Sequence, residues 1–125
     1  LLDFPLQVDY IHATRYGDNT SGSEIQWVSK PRVSLKGRTV LIVDDILDHG
    51  VTLAEIVKYC KDQGAAEIRT AVLVEKEVAR KPDAVQKAHY TGITVEDRYV
   101  FGYGMDYKGY LRNAPGIFYV AQEDQ

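Results

Sequence analysis

Three carboxylates, Asp44, Asp45 and Asp48, fall within five consecutive residues and are followed at once by His49-Gly50-Val51-Thr52. Like charges this close lower stability unless hydroxyl donors, a divalent cation or open solvent compensate them. The residues that follow open a helix, whose first backbone N–H groups lack intrahelical partners and whose dipole is positive there. A phosphate fits that spot. Gly50 lets the backbone approach closely, and Thr52 adds a hydroxyl donor. One short loop thus offers acceptors for sugar hydroxyls beside donors for a phosphate, the layout that a ribose 5-phosphate requires. Aspartates after a buried strand also serve as turn residues and helix caps, and Asp48 is placed to act as such a cap. A Walker B strand ends in Asp-Asp too, but the G-x-x-x-x-G-K-[ST] loop it needs is absent. A receiver domain carries acidic residues after a strand, without a glycine–threonine phosphate cradle.

The elements around this loop read as α/β. Thr39 to Val43 is a continuous apolar run, as expected of a strand buried on both faces in a parallel sheet. Asp44 to Gly50 reads as a short polar loop. Thr52 to Lys61 reads as a helix, with Leu53, Ile56, Val57 and Cys60 at i, i+3, i+4 and i+7, and Gly64 is a natural stop. Ile68 to Val74 is a second buried strand, and Lys76 stands at its end. Strand, helix, strand predicts parallel pairing with a right-handed crossover. In such sheets ligands bind beyond the carboxyl ends of the strands, where the aspartates stand. Earlier, Gln7 to His12 alternates as a strand would. The polar, glycine-containing run Arg15 to Ser23 reads as a flexible loop. Glu24 to Val28 reads as the returning strand of a ribbon and Lys36-Gly37-Arg38 as a turn. Tyr99 to Phe101 and Ile117 to Val120 read as short late strands.

Composition narrows the classes. The 125 residues suit one domain, and 45% hydrophobic content supports a core. A net charge of −3 and a pI of about 5.6 argue against a nucleic-acid backbone as partner. The single cysteine, Cys60, permits no intrachain disulfide and points to a reducing, cytoplasmic setting. No apolar run approaches the roughly 20 residues of a membrane span, and no signal peptide is visible. Nine tyrosines, most between Tyr90 and Tyr119, suit half-buried strand positions or a ligand site.

The run Val40-Leu41-Ile42-Val43-Asp44-Asp45-Ile46-Leu47-Asp48-His49-Gly50-Val51-Thr52 resembles the phosphoribosyl-pyrophosphate signature of type I phosphoribosyltransferases, a long and specific motif. Val8-Asp9-Tyr10-Ile11 is similar to the strand before the mobile active-site loop in the hypoxanthine/guanine branch of that family. Phe101-Gly102-Tyr103-Gly104-Met105-Asp106-Tyr107 and Arg112-Asn113 resemble that branch's C-terminal signature. The resemblance implies the type I fold: a mostly parallel sheet flanked by helices, with a mobile loop or ribbon over the active site. The family also has an earlier strand–helix portion with a short pyrophosphate-binding loop, which has no counterpart before Leu1. Residues 1–125 are therefore expected to be a catalytic domain lacking its N-terminal part. His49 departs from the Thr or Glu of many relatives. Little effect is expected, because the backbone N–H does the binding at that position.

The resemblance implies transfer of a phosphoribosyl group to a purine, with Mg²⁺ as cofactor and Asp44, Asp45 and Asp106 near the metal. It gives Asp44 and Asp45 the ribose hydroxyls, and His49, Gly50, Val51 and Thr52 the donor phosphate. Asp48 becomes the general base or acid near purine N7. Lys76 would donate to the 6-oxo group, Tyr99 would stack on the base, the Val100 carbonyl would face the purine edge, and Arg112 would bind pyrophosphate. Arg15 and Tyr16 fall in the mobile loop, a lid that excludes water from a cationic transition state. Read without the family, Lys76 beside Glu75 and Glu77 is a solvated lysine. The partners implied are a purine base and the phosphoribosyl donor, with a homodimer or homotetramer as the assembly. Two other readings compete: a regulator that keeps this fold and senses the donor or a nucleotide, and a xanthine-preferring relative. Asp48, Lys76 and Arg112 together favour the enzyme.

Overall fold

The computed structural model describes residues 2–15 and 24–125. In chain order, β1 (His12–Arg15) and β2 (Ile25–Ser29) form an antiparallel ribbon. β3 (Thr39–Leu47), α1 (Val51–Asp62), β4 (Glu67–Lys76) and β5 (Tyr90–Val95) follow, and then β6 (Val100–Phe101) and β7 (Phe118–Tyr119) pair antiparallel. β3, β4 and β5 make a three-stranded parallel sheet in that order. The expected parallel pairing of the two apolar runs is present, with Thr39 opposite Glu67 and Leu47 opposite Glu75. No helix among the described residues is long and apolar enough to cross a membrane.

Apolar periodicity explains α1. Leu53, Ile56 and Cys60 are buried on one stripe against Ile42, Leu47 and Val72 of the sheet, with Val57 partly buried beside them. Fully burying a side chain such as Leu53 stabilises the fold by about 1.5–3 kcal/mol. The helix starts at Val51 with Gly50 as its N-cap in the left-handed region, φ 76°, and no side chain caps it. It ends at Asp62, and Gly64 at φ 88° turns the chain away, its N–H donating to the Lys61 carbonyl at 2.9 Å. A second cluster, Val74, Val95, Val100 and Met105 with Ile46 packed against it, joins the sheet to the C-terminal lobe. The two clusters meet along β3 and β4, so the tips of these strands are held from both sides.

Two expectations change, and one element is new. β3 does not stop at Val43: Asp44, Asp45, Ile46 and Leu47 continue it, because β4 supplies ladder partners as far as Glu75 and because Leu47 is 1% exposed. Only Asp48, His49 and Gly50 remain as the connection to the helix. Gln7 to Ile11 is not in a strand, and pairing begins at His12. The alternation there has another use: the Asp9 carboxylate accepts from the backbone N–H groups of Tyr10, Arg32 and Val33, each at 2.7 Å. Those donors hold its pKa below the ordinary carboxylate range. β5 was not expected at all. The segment expected as a mobile loop, with Tyr16 in it, lies outside the described residues; Arg15 closes β1.

Candidate active site

Two hollows open at the carboxyl edge of the sheet, with Asp48 and Ile46 lining both. The first, about 310 Å³, is lined by Asp44, by 46–53 and by Arg15 from the ribbon. It contains the whole expected phosphate cradle, His49, Gly50, Val51 and Thr52. The Gly50 carbonyl accepts from Ala54 N and from Val85 N, both at 3.1 Å, so this loop is docked on the segment after β4. A Cβ at Gly50 would come within 2.5 Å of the Val85 carbonyl oxygen, which together with φ 76° requires glycine. Asp45 N–H donates to Asp44 Oδ1 at 2.8 Å. The Asp44 side chain remains open to solvent at the rim, yet loss of hydration on its inner side pushes its pKa up to about 6. The Asp45 N–H opposes that rise and the Asp45 charge adds to it.

The second hollow, about 190 Å³, is lined by Asp45, Asp48, Lys76, Tyr99, Val100, Asp106 and Arg112 together with the apolar Ile46 and Met105. Lys76 is not solvated: its side chain is 11% exposed, and its Nζ lies 3.2 Å from Asp48 Oδ2. An ammonium so enclosed requires a carboxylate partner. The other Asp48 oxygen faces His49 Nε2 at 3.7 Å, and the His49 ring is largely exposed. Asp48 is therefore not the helix cap that its position also suited; Gly50 has that place, and Asp48 turns toward Lys76. Tyr99 stands at the mouth, its hydroxyl donating to the Asp106 carbonyl at 3.2 Å and its ring edge-on to Tyr107. Val100 is buried in β6. Asp106 Oδ2 accepts from Gly109 N at 2.8 Å, and its Oδ1 lies 3.6 Å from Arg112 Nη2. Arg112 Nη1 donates to the Gly104 carbonyl at 2.7 Å.

Asp44 and Asp45, adjacent on β3, point to opposite hollows, and Asp106 shares the hollow of Asp45. Among the described residues no group of three or more acidic, histidine or cysteine side chains forms a metal cage. The carboxylates present suit a different mode, in which Mg²⁺ takes one or two protein carboxylates and shares the rest of its shell with substrate phosphates and water. Met105 and Ile46 as wall residues were not singled out from sequence; both are apolar and carry no signal beyond their place in the quoted motifs. Arg80, which touches the backbone of this site, was missed altogether.

The phosphoribosyl transferase domain family model matches residues 1–108. The hypoxanthine-guanine phosphoribosyltransferase of Bacillus subtilis is 36% identical over 117 residues, 93% of this chain and 64% of the relative. The hypoxanthine-guanine-xanthine phosphoribosyltransferase of Tritrichomonas foetus is 33% identical over 116 residues, 93% of this chain and 63% of that relative. The chain thus spans a little under two thirds of the length of these curated relatives. Among solved structures, a hypoxanthine phosphoribosyltransferase from Staphylococcus aureus superposes with a TM-score of 0.87 at 30% identity, covering 97% of this chain and 65% of the other. With its motif, its parallel sheet and its two-part site, the chain belongs to the phosphoribosyl transferase domain family.

Proposed function

We propose that the protein carrying this chain transfers the 5-phosphoribosyl group from 5-phosphoribosyl 1-diphosphate to hypoxanthine or guanine, giving IMP or GMP and pyrophosphate. The observation that carries this reading is the Asp48–Lys76 pair, a carboxylate between two hollows with an enclosed ammonium at 3.2 Å on one side only. The larger hollow suits the donor. Backbone N–H groups of His49, Gly50 and Val51 and the Thr52 hydroxyl hold the 5-phosphate, while Asp44 from within this hollow and Asp45 from the adjoining one accept from the ribose hydroxyls. The smaller hollow suits the base. Lys76 donates to the 6-oxo group and so rejects a 6-amino group, which is itself a donor; Tyr99 stacks on the ring; the Val100 carbonyl accepts from the purine edge.

As the bond from C1′ to pyrophosphate breaks and the bond from C1′ to N9 forms, Asp48 takes the proton leaving N7. Mg²⁺, when bound, supplies charge neutralisation for the departing pyrophosphate. Arg112 adds charge-assisted donors for that group, and one or two of Asp44, Asp45 and Asp106, of which Asp45 and Asp106 share a hollow, would offer oxygen ligands for the metal. Arg15, at the end of β1, lines the donor hollow and helps to keep water from the cationic centre. The protein works as a homodimer or homotetramer in the cytoplasm.

The test is a nucleotide-formation assay of the whole protein with the donor, Mg²⁺ and each of hypoxanthine, guanine, xanthine and adenine in turn. IMP and GMP are expected as products, with adenine unused; a protein that forms neither nucleotide defeats the reading. Xanthine is included because the Tritrichomonas foetus relative bears it in its name.

A further inference from the structure

Arg80 lines neither hollow. Its half-buried guanidinium makes four hydrogen bonds, and every acceptor is a backbone carbonyl. Nε donates to Asp48 O at 2.7 Å, Nη2 to Lys76 O at 2.7 Å and to Leu47 O at 3.2 Å, and Nη1 to Gln86 O at 3.1 Å. Two of those carbonyls belong to the residues whose side chains form the ion pair at the centre of the site. A third belongs to the last residue of β3.

We propose that Arg80 is a positioning residue that sets the placement of Asp48 relative to Lys76 by locking the tip of β3 to the tip of β4 from behind the site. The ladder between these strands ends at Leu47 and Glu75. Beyond it no ladder joins β3 to β4, and Arg80 bridges the gap by answering the carbonyls of Leu47 and Asp48 on one side and, alongside Val78 N, that of Lys76 on the other; a buried unpaired carbonyl costs about 1–3 kcal/mol. A guanidinium can answer several carbonyls at once, since its donors fan out in one plane; an ammonium is a single point. The side-chain pair alone is a weak constraint on the geometry, because the Asp48 side chain is 41% exposed and solvent screens its attraction to Lys76. Pinning the carbonyls of Asp48 and Lys76 to one rigid plane fixes the two stems together. The same segment also supports the phosphate loop, through Val85 N to the Gly50 carbonyl at 3.1 Å. One buttress thus ties the proton-handling residue, the base-binding residue and the donor cradle. This inference rests on the proposed roles of Asp48 and Lys76.

The test compares wild type, Arg80→Lys and Arg80→Gln in the whole protein, by steady-state kinetics and by hydrogen exchange. Exchange is read at the amides of Ala54, Val78 and Val85, which are bonded to the Gly50 and Lys76 carbonyls. In Arg80→Gln these amides are expected to exchange at least about tenfold faster, as the loss of hydrogen bonds to a charged group implies. Its kcat/KM is expected to fall about 10²-fold, the cost of a small misplacement of reacting groups, with kcat carrying at least as much of the loss as either KM. Arg80→Lys keeps the charge, loses the fan and should fall between; it carries the same comparison if Arg80→Gln does not fold. A lower thermal midpoint with unchanged kcat/KM and unchanged exchange at these amides would overturn the proposal. If the wild type itself forms no nucleotide, the functional reading fails, and the exchange rates alone decide for or against the buttress.

Discussion

The donor hollow takes nine of its ten lining residues from the single run 44–53, whereas the base hollow gathers its wall from the tip of β3, the tip of β4 and the lobe between Tyr99 and Arg112. The difference is what the proposed function asks of each half. A phosphate and two hydroxyls can be met by consecutive backbone amides and neighbouring carboxylates, so a strand end and a helix start suffice. A planar heterocycle needs walls above, below and at its edges, and one stretch of chain cannot surround it. Asp48 belongs to both hollows and is the hinge of the comparison.

Substitution there is expected to have the largest effect. Asp48→Asn keeps the shape and removes the proton acceptor, so turnover in the nucleotide-formation assay should drop by roughly 10²–10⁴-fold, the usual range for general acid–base catalysis. Donor affinity should change less. A variant that turns over at the wild-type rate would show Asp48 to be a structural partner of Lys76 and nothing more. The next effects should separate the halves. Lys76→Ala should raise the KM for 6-oxopurines and spare donor binding, whereas Thr52→Val should weaken donor binding by about 1.5–3 kcal/mol, the usual worth of a hydrogen bond to a charged group, and spare the base. Isothermal titration with the donor and kinetics with hypoxanthine read both variants. Equal losses on both sides in either variant would mean that the hollows do not act as separate subsites.

The smallest effect belongs to Asp44. Its pKa is about 6 in the folded protein against an ordinary value of 3.8. Between those two values the folded state holds more protons than the unfolded one, so stability should fall as pH rises from about 4 to about 6 and level off above. Asp44→Asn should remove that slope and add no more than about 1 kcal/mol at neutral pH, because solvent screens the charge. Donor binding should run the other way in the wild type, strengthening as Asp44 ionises. Urea unfolding of both proteins across this range checks the sign; parallel curves would show that the folded-state pKa of Asp44 is not raised.

This contrast also explains what could be read from sequence. The strand–helix–strand unit was legible because its apolar periods are long and Gly64 punctuates them. The loop 48–52 could be singled out as a candidate donor site because the residues that carry the reading are contiguous. The end of β3 was not, because Asp44 and Asp45 look like loop residues until β4 is known to run beside them. β5 escaped notice because Gly92 interrupts its pattern, and the reason for that glycine is tertiary: a Cβ there would lie 2.6 Å from the Leu73 carbonyl oxygen. Gln7 to Ile11 misled, because alternation says nothing about whether a partner strand exists. Arg80 gave no sign, because its partners are carbonyls, which every residue has. The proposed roles of Lys76, Tyr99 and Arg112 came only through the resemblance, and without it Lys76 between two glutamates reads as surface.

His49 and Gly50 are neighbours with opposite freedoms. The His49 ring is 74% exposed and contributes its amide to the loop, so its side chain can drift among residue types without disturbing the cradle. Gly50 is held by two separate constraints, a left-handed φ and a carbonyl 2.5 Å from where any Cβ would be. Relieving one leaves the other in force, so no single compensating change elsewhere opens the position. In terms of sequence tolerance, the loop sets a permissive position directly beside a strict one.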